Sequence, residues 1–98
     1  MSISNVKAEN KHLYVYDSSG RKISDFYCNG FLFGFSSSLI GCADGKHVYV
    51  YDENGRKISD FYCNGNPVNV SGENIMSKDG KHVYVYDKNG RKTSDYYE

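Results

Sequence analysis

An internal repeat of 35 residues constrains this chain more than any other feature. Aligning His12, His47 and His82 places Lys11-His12-Leu13-Tyr14-Val15-Tyr16-Asp17 over Lys46-His47-Val48-Tyr49-Val50-Tyr51-Asp52 and over Lys81-His82-Val83-Tyr84-Val85-Tyr86-Asp87, with the same offset of 35 both times. The stretches Asn10–Gly30 and Gly45–Gly65 differ at only four of 21 positions. A fixed period of this length marks one supersecondary unit used repeatedly, each copy needing its neighbours to bury an apolar face. The chain thus reads as a single repeat domain over 1–98, with units of approximately 1–30, 31–65 and 66–98.

Within each unit, β-branched and aromatic residues alternate and are interrupted by Asp17-Ser18-Ser19-Gly20, Asp52-Glu53-Asn54-Gly55 or Asp87-Lys88-Asn89-Gly90, after which a second alternating run follows. That pattern is a β-hairpin. Ser19 is poorly suited to positive φ, so one turn that serves all three copies is a type I turn closing on a left-handed glycine at Gly20, Gly55 and Gly90. Under such a turn Asp52 lies opposite Arg56, Val50 near Ile58, Tyr49 near Ser59 and His47 near Phe61. The hairpin then has a valine face and a tyrosine face, neither fully polar, which suits a sheet packed on both sides.

Two further short strands lie between hairpins: Phe31–Phe35 and Leu39–Ala43 in one unit, Val68–Val70 and Ile75–Ser77 in the next, each followed by a Ser-, Gly- or Asp-Gly-rich turn. A full unit has four strands, and the first unit has room for only three, giving about eleven strands in three sheets. No window carries apolar residues at helical spacing, so no helix is expected.

Twelve basic residues balance twelve acidic ones, so no overall field draws the chain to nucleic acid or an anionic membrane. The N-terminal residues lack the pattern of a signal peptide, and no apolar run is long enough to span a bilayer. Three cysteines, two at equivalent positions (Cys28 and Cys63), suggest buried reduced thiols and a cytoplasmic location.

Pro67, Val68, Val70, Ile75, Asp79-Gly80, Val83, Val85-Tyr86-Asp87 and Asn89-Gly90 follow the order used in β-propeller blades of the NHL or quinoprotein kind, which the units resemble across the whole chain. Rings close with roughly four to eight blades, so the resemblance implies a homodimer with six blades in all or some other assembly. The three-unit plan is also similar to the β-prism of bulb-type mannose-binding lectins, which closes within one chain. Of that family's Gln-x-Asp-x-Asn-x-Val-x-Tyr sugar motif, the frames beginning at Ser77 and Cys42 keep only Asp and Val, and the chain has no tryptophan. A carbohydrate-binding, lectin-like role therefore ranks last among the binding readings. The string Tyr-Asp-x-x-Gly-Arg (Tyr16–Arg21 and its two copies) is similar to YD-type shell repeats and cell-wall-binding repeats, whose periods are shorter.

Three candidate constellations stand out. The repeated histidines would hold zinc only if they converged; an edge histidine stacked on Phe26, Phe61 or Tyr96 is the plainer expectation, and neither a metal nor a cofactor is expected. The pairs Arg21-Lys22, Arg56-Lys57 and Arg91-Lys92, interleaved with tyrosines such as Tyr49 and Tyr84, offer a basic rim that would grip phosphates while tyrosine stacks bases. The competing expectation is that Asp17, Asp52 and Asp87 neutralise the arginines across the turn. The units differ most between Phe31 and Ala43 and between Asn66 and Lys78, which makes Phe31, Phe33 and Phe35 the candidate for a unique binding site, while the plainer expectation for these rings is a core strand.

No nucleophile, base or phosphate loop is distinguished from repeat-wide usage, and aspartates recur where turns need them, so no catalytic residue is expected. The sequence reads as a non-enzymatic β-repeat module that binds a protein or itself, most simply as a homodimer, with nucleic-acid binding second and no membrane partner.

Overall fold

The computed structural model describes residues 2–98. Among them are eleven strands in three antiparallel sheets and no helix. The first sheet has three strands, β1 (Asn5–Glu9), β2 (His12–Tyr16) and β3 (Lys22–Tyr27). The second has four: β4 (Phe31–Phe35), β5 (Ile40–Asp44), β6 (His47–Tyr51) and β7 (Lys57–Tyr62). The third repeats it with β8 (Asn66–Ser71), β9 (Asn74–Asp79), β10 (His82–Asp87) and β11 (Lys92–Tyr97). Strands pair in sequence order, and β1 corresponds to the second strand of the later sheets, so the first sheet lacks the strand equivalent to β4 and β8.

Each outer hairpin turns as its chemistry requires. Gly20 donates its N–H to the Asp17 carbonyl at 3.0 Å, Asp17 donates to the Arg21 carbonyl at 2.9 Å, and the other two turns repeat both bonds. Gly20, Gly55 and Gly90 have φ of 83°, 85° and 88°, the left-handed region that a side chain disfavours. Asp17 Oδ1 accepts the Ser19 and Arg21 backbone N–H groups at 2.9 and 3.0 Å and the Ser19 hydroxyl at 2.8 Å. These bonds, the Ser19 hydroxyl first, hold the Asp17 carboxyl below the usual carboxylate range.

The expected register is right at the turn and shifts by one residue beyond it. Tyr51 pairs with Lys57, but Val50 pairs with Ser59, Tyr49 with Asp60, Val48 with Phe61 and His47 with Tyr62. Ile58 is the extra residue of a β-bulge, and the same shift occurs at Ile23 and Thr93.

The sheets stack through two separate cores. One gathers Leu13, Val15 and Cys28 of the first unit with Ile40, Cys42 and Tyr51 of the second, and Phe26 and Phe35 pack onto it. The other gathers Val48, Val50 and Cys63 of the second with Val70, Ile75 and Tyr86 of the third, joined by Phe33, Ile58 and Phe61. The valine face of each hairpin thus meets the tyrosine face of the next, and the second sheet is covered on both sides. Two successive interfaces and extents of 39 × 22 × 20 Å describe a row of blades, the propeller-like arrangement and not a prism around one central core. All three cysteines are free and buried; burial, then a hydrogen bond with Cys28, raises the Cys42 thiol pKa.

Candidate functional site

The bulge decides what the tyrosine face carries. Two residues three apart in a regular strand face opposite sides of the sheet. Because Ile58 is extra, Lys57 opposite Tyr51, Asp60 opposite Tyr49 and Tyr62 opposite His47 share one face. Each unit there builds the same cluster.

In the first unit, His12 lies between Tyr14 and Tyr27, with ring centroids at 4.3 Å from each. Its Nε2 is 3.1 Å from Asp25 Oδ1 and its Nδ1 is 3.2 Å from the Tyr14 hydroxyl. For a neutral imidazole those contacts suit one tautomer, with Nε2–H donating to Asp25 and Tyr14 donating to Nδ1. Lys22 Nζ lies 2.7 Å from Asp25 Oδ2 and 5.9 Å from the Tyr14 ring centroid, on the range of a cation–π contact. The result is a Lys–Tyr–His–Tyr stack tied down by one carboxylate.

The second unit repeats it with Lys57, Tyr49, His47, Tyr62 and Asp60, at 2.8 Å for the lysine pair and 3.0 Å for the histidine. In the third, Lys92, Tyr84, His82, Tyr97 and Asp95 stack likewise, with the Lys92 pair longer at 3.7 Å. Hydrogen bonds from lysine and then histidine lower the pKa of Asp25 and Asp60; at Asp95 the histidine is the leading cause. Lys22 and Lys57 are raised in return by the same bonds. Burial raises Tyr14 and Tyr84.

Each stack ends in an open ring. Tyr27, Tyr62 and Tyr97 are 75%, 75% and 74% exposed, although their sheets have different neighbours. The three platforms therefore sit on a rim that sheet stacking does not cover.

Several sequence expectations change here. The histidines stack on Tyr27, Tyr62 and Tyr97 and not on Phe26, Phe61 and Tyr96, because the bulge moves the register by one. They lie in three different sheets, each bound to its own aspartate, and among the described residues no group of three or more metal-binding side chains comes together. Asp17, Asp52 and Asp87 meet Arg21, Arg56 and Arg91 through the arginine backbone N–H. Lys22, Lys57 and Lys92 face Asp25, Asp60 and Asp95, so much of the expected basic rim is internally neutralised.

Phe31, Phe33 and Phe35 do not form one cluster. A register shift between Leu32 and Gly34 sends Phe33 to the second core and Phe35 to the first. Phe31 alone stays out, 58% exposed, under Lys11 Nζ at 5.7 Å from its ring centroid. With Glu9, Asn10, Lys11, His12 and Tyr27 it lines an open cleft of about 640 Å³ at the boundary of the first two sheets. The equivalent position in the third unit is Asn66, so this cleft joins a repeated platform to a side chain found once.

No protein-family model and no curated protein sequence matches the chain. Among solved structures, BamB from Moraxella catarrhalis, a β-propeller protein, is similar over 100% of this chain and 37% of its own, with a TM-score of 0.58 and 10% identity. KlHsv2 with loop 6CD replaced by a Gly-Ser linker overlaps 90% of this chain and 46% of its own, at a TM-score of 0.41 and 14% identity. This chain thus spans less than half the length of either protein. At such identity the likeness to BamB is one of fold, and the chain is a row of three β-propeller-like blades.

Proposed function

We propose that the chain is a non-enzymatic interaction module whose tyrosine platforms bind a protein partner. The carrying observation is the row Tyr27, Tyr62 and Tyr97, each about three-quarters exposed and each held rigid by a histidine stack and a carboxylate anchor. A fixed aromatic ring presents apolar area with little conformational entropy left to lose, which is why tyrosine is enriched in protein interfaces. Three equivalent platforms would let weak contacts add through multivalency. The Phe31 cleft gives one end of the row a distinct shape, suited to setting the register of a bound segment. Buried free thiols fit a reducing compartment such as the cytoplasm.

Nucleic acid is the weaker reading because the three lysines nearest the platforms are paired with aspartates, leaving less charge for phosphates. The test is selection of random peptides displayed on phage against the 98-residue chain, with binding of the enriched peptides then compared with the triple variant Tyr27→Ala, Tyr62→Ala, Tyr97→Ala. Peptides that bind the parent and lose tenfold or more in the variant are expected. Peptides indifferent to the substitutions would overturn the assignment of the platforms, and tight, salt-sensitive binding of single-stranded oligonucleotides would replace it with the nucleic-acid reading.

A further inference from the structure

We infer that the uncovered face of the third sheet docks, head to tail, on the uncovered face of the first sheet of a second copy of this chain, through the contact that already joins successive sheets within one chain. The inference rests on the interaction-module reading but uses the turn end of that face, and the same contact within the chain leaves Tyr62 and Tyr97 exposed, so the two fail separately.

The internal contact occurs twice with the same parts. At the first junction the Phe26 ring occupies the space over Gly55, where a Cβ would come within 2.6 Å of it, and its centroid lies 5.0 Å from that of Tyr51. Beside it Ser24 Oγ donates to the Glu53 carbonyl at 2.5 Å. At the second junction Phe61 covers Gly90, where a Cβ would meet the ring at 2.7 Å, with the Tyr86 centroid at 4.9 Å. Ser59 Oγ donates to the Lys88 carbonyl, again at 2.5 Å.

Moving each half by one repeat lands on surfaces that no neighbouring sheet of the described residues covers. The donating half becomes Tyr96 and Ser94 on β11, with Val83 and Val85 beside them. Tyr96 is 46% exposed and every residue of β11 is exposed, whereas the matching Phe26, Phe61, Ser24 and Ser59 are half-buried. The receiving half becomes Tyr16, the Ser18 carbonyl and Gly20. A Cβ built at Gly20 meets nothing within 4 Å, and Tyr16 is half-buried where Tyr51 and Tyr86 are each 5% exposed. The turn ends of both halves are therefore formed and open. On the receiving sheet exposed Asn5 and Lys7 of β1 stand where Ile40 and Cys42, or Ile75 and Ser77, fill the internal junctions, so the stem of Lys7 and not an apolar core side chain would cover the middle of the contact.

The substitutions on the donating face fit an interface between chains. Thr93 stands where the other units have Ile23 and Ile58, and Tyr96 where they have Phe26 and Phe61. Tyr96 adds a hydroxyl to the phenyl ring, and Thr93 puts a shorter, hydroxyl-bearing side chain where the others carry isoleucine; both tolerate water before assembly, and the ring packs afterwards. A capping repeat would instead present a polar outer face; here half-buried Val85 and exposed Tyr96 remain on it, while Val83 is already buried.

A head-to-tail contact generates either a closed ring or an open filament. For these 98 residues taken by themselves the blade count decides between them: two copies supply six, within the roughly four to eight with which propellers close, while three copies supply nine. A closed dimer with two identical junctions follows.

Light scattering from micromolar to millimolar concentration should give twice the 11.1 kDa chain mass. Tyr96→Glu, a change at an exposed position, should return that mass to 11.1 kDa while the circular dichroism stays β. Pairwise geometry is read by cysteine cross-linking under oxidation. Ser94→Cys alone and Ser18→Cys alone should give no cross-linked dimer, and their equimolar mixture should give one. A parent chain that stays monomeric at millimolar concentration overturns the inference. So does a dimer indifferent to Tyr96→Glu, and so does cross-linking of Ser94→Cys to itself, which marks a symmetric contact.

Discussion

The middle hairpin, β6–β7, and the last hairpin, β10–β11, share their turn, their bulge and most of their residues, yet only the middle one is covered on its valine face. Val50 is fully buried and its counterpart Val85 half-buried; Phe61 is half-buried and Tyr96 exposed. The receiving turns differ in the same way, for Gly55 lies under Phe26 while Gly20, with nearly the same φ, faces open space. Local sequence thus makes one hairpin three times, and the neighbouring sheet determines what each residue contributes to stability.

That difference is sharpest at the turn glycines. Gly55→Ala is expected to cost about 2–4 kcal/mol, because backbone strain at positive φ adds to overpacking against Phe26. Gly20→Ala carries only the strain, about 1 kcal/mol. Urea unfolding at low micromolar concentration measures both, and equal costs would mean that Phe26 does not rest on Gly55.

A cavity series comes next. Val50→Ala is expected to cost about 2 kcal/mol and Val85→Ala about 1 kcal/mol or less, in line with transfer of two methylene-sized groups at a covered and a half-covered site. Repeating the pair at high concentration sharpens the comparison, since a head-to-tail dimer would cover Val85 and bring the two costs together.

Ser59→Ala, which removes the hydroxyl bonded to the Lys88 carbonyl, should cost about 1 kcal/mol. Ser94→Ala should be neutral in the monomer. If Ser59→Ala is neutral as well, the hydroxyl contributes nothing to the junction between sheets.

The smallest effect concerns acid. Asp25, Asp60 and Asp95 are exposed, and their pKa values are lowered by lysine and histidine partners in the folded state. A carboxyl with a depressed folded pKa contributes stability above its unfolded pKa of about 3.9, and that contribution is lost as pH falls through the folded value. The thermal midpoint should therefore fall on acidification below about pH 4, and Asp60→Asn should lower the neutral-pH midpoint slightly while flattening the acid limb. An acid limb unchanged by Asp60→Asn would assign the pH dependence to other carboxyls, such as that of Asp17.

Much of the fold could be read from residue order. The Asp-x-x-Gly turns appear with the expected bonds and positive φ, and the described residues form the expected sheets of three, four and four strands. The candidate site was less legible. His12, Tyr14, Lys22, Asp25 and Tyr27 recur in all three units, so their repetition was visible, but Lys22 and Asp25 belong on opposite faces until a bulge is placed at Ile23. Bulges leave little local trace, because the extra residue is an ordinary isoleucine whose placement depends on the core it enters. The same holds for Phe31, Phe33 and Phe35, which alternation alone puts on one side and the bulge in β4 divides.

By itself the sequence determined the period, the hairpin turns, the count of strands and the two-sided apolar character of the sheets, since each follows from backbone preferences and alternation within a few residues. Only the tertiary structure decided that the sheets form a row of blades, that Gly55 bears a ring while Gly20 does not, and that histidine, lysine and aspartate meet beside an open tyrosine. Those outcomes depend on which face meets which neighbour, and burial between sheets is a property of pairs of units that no single unit encodes.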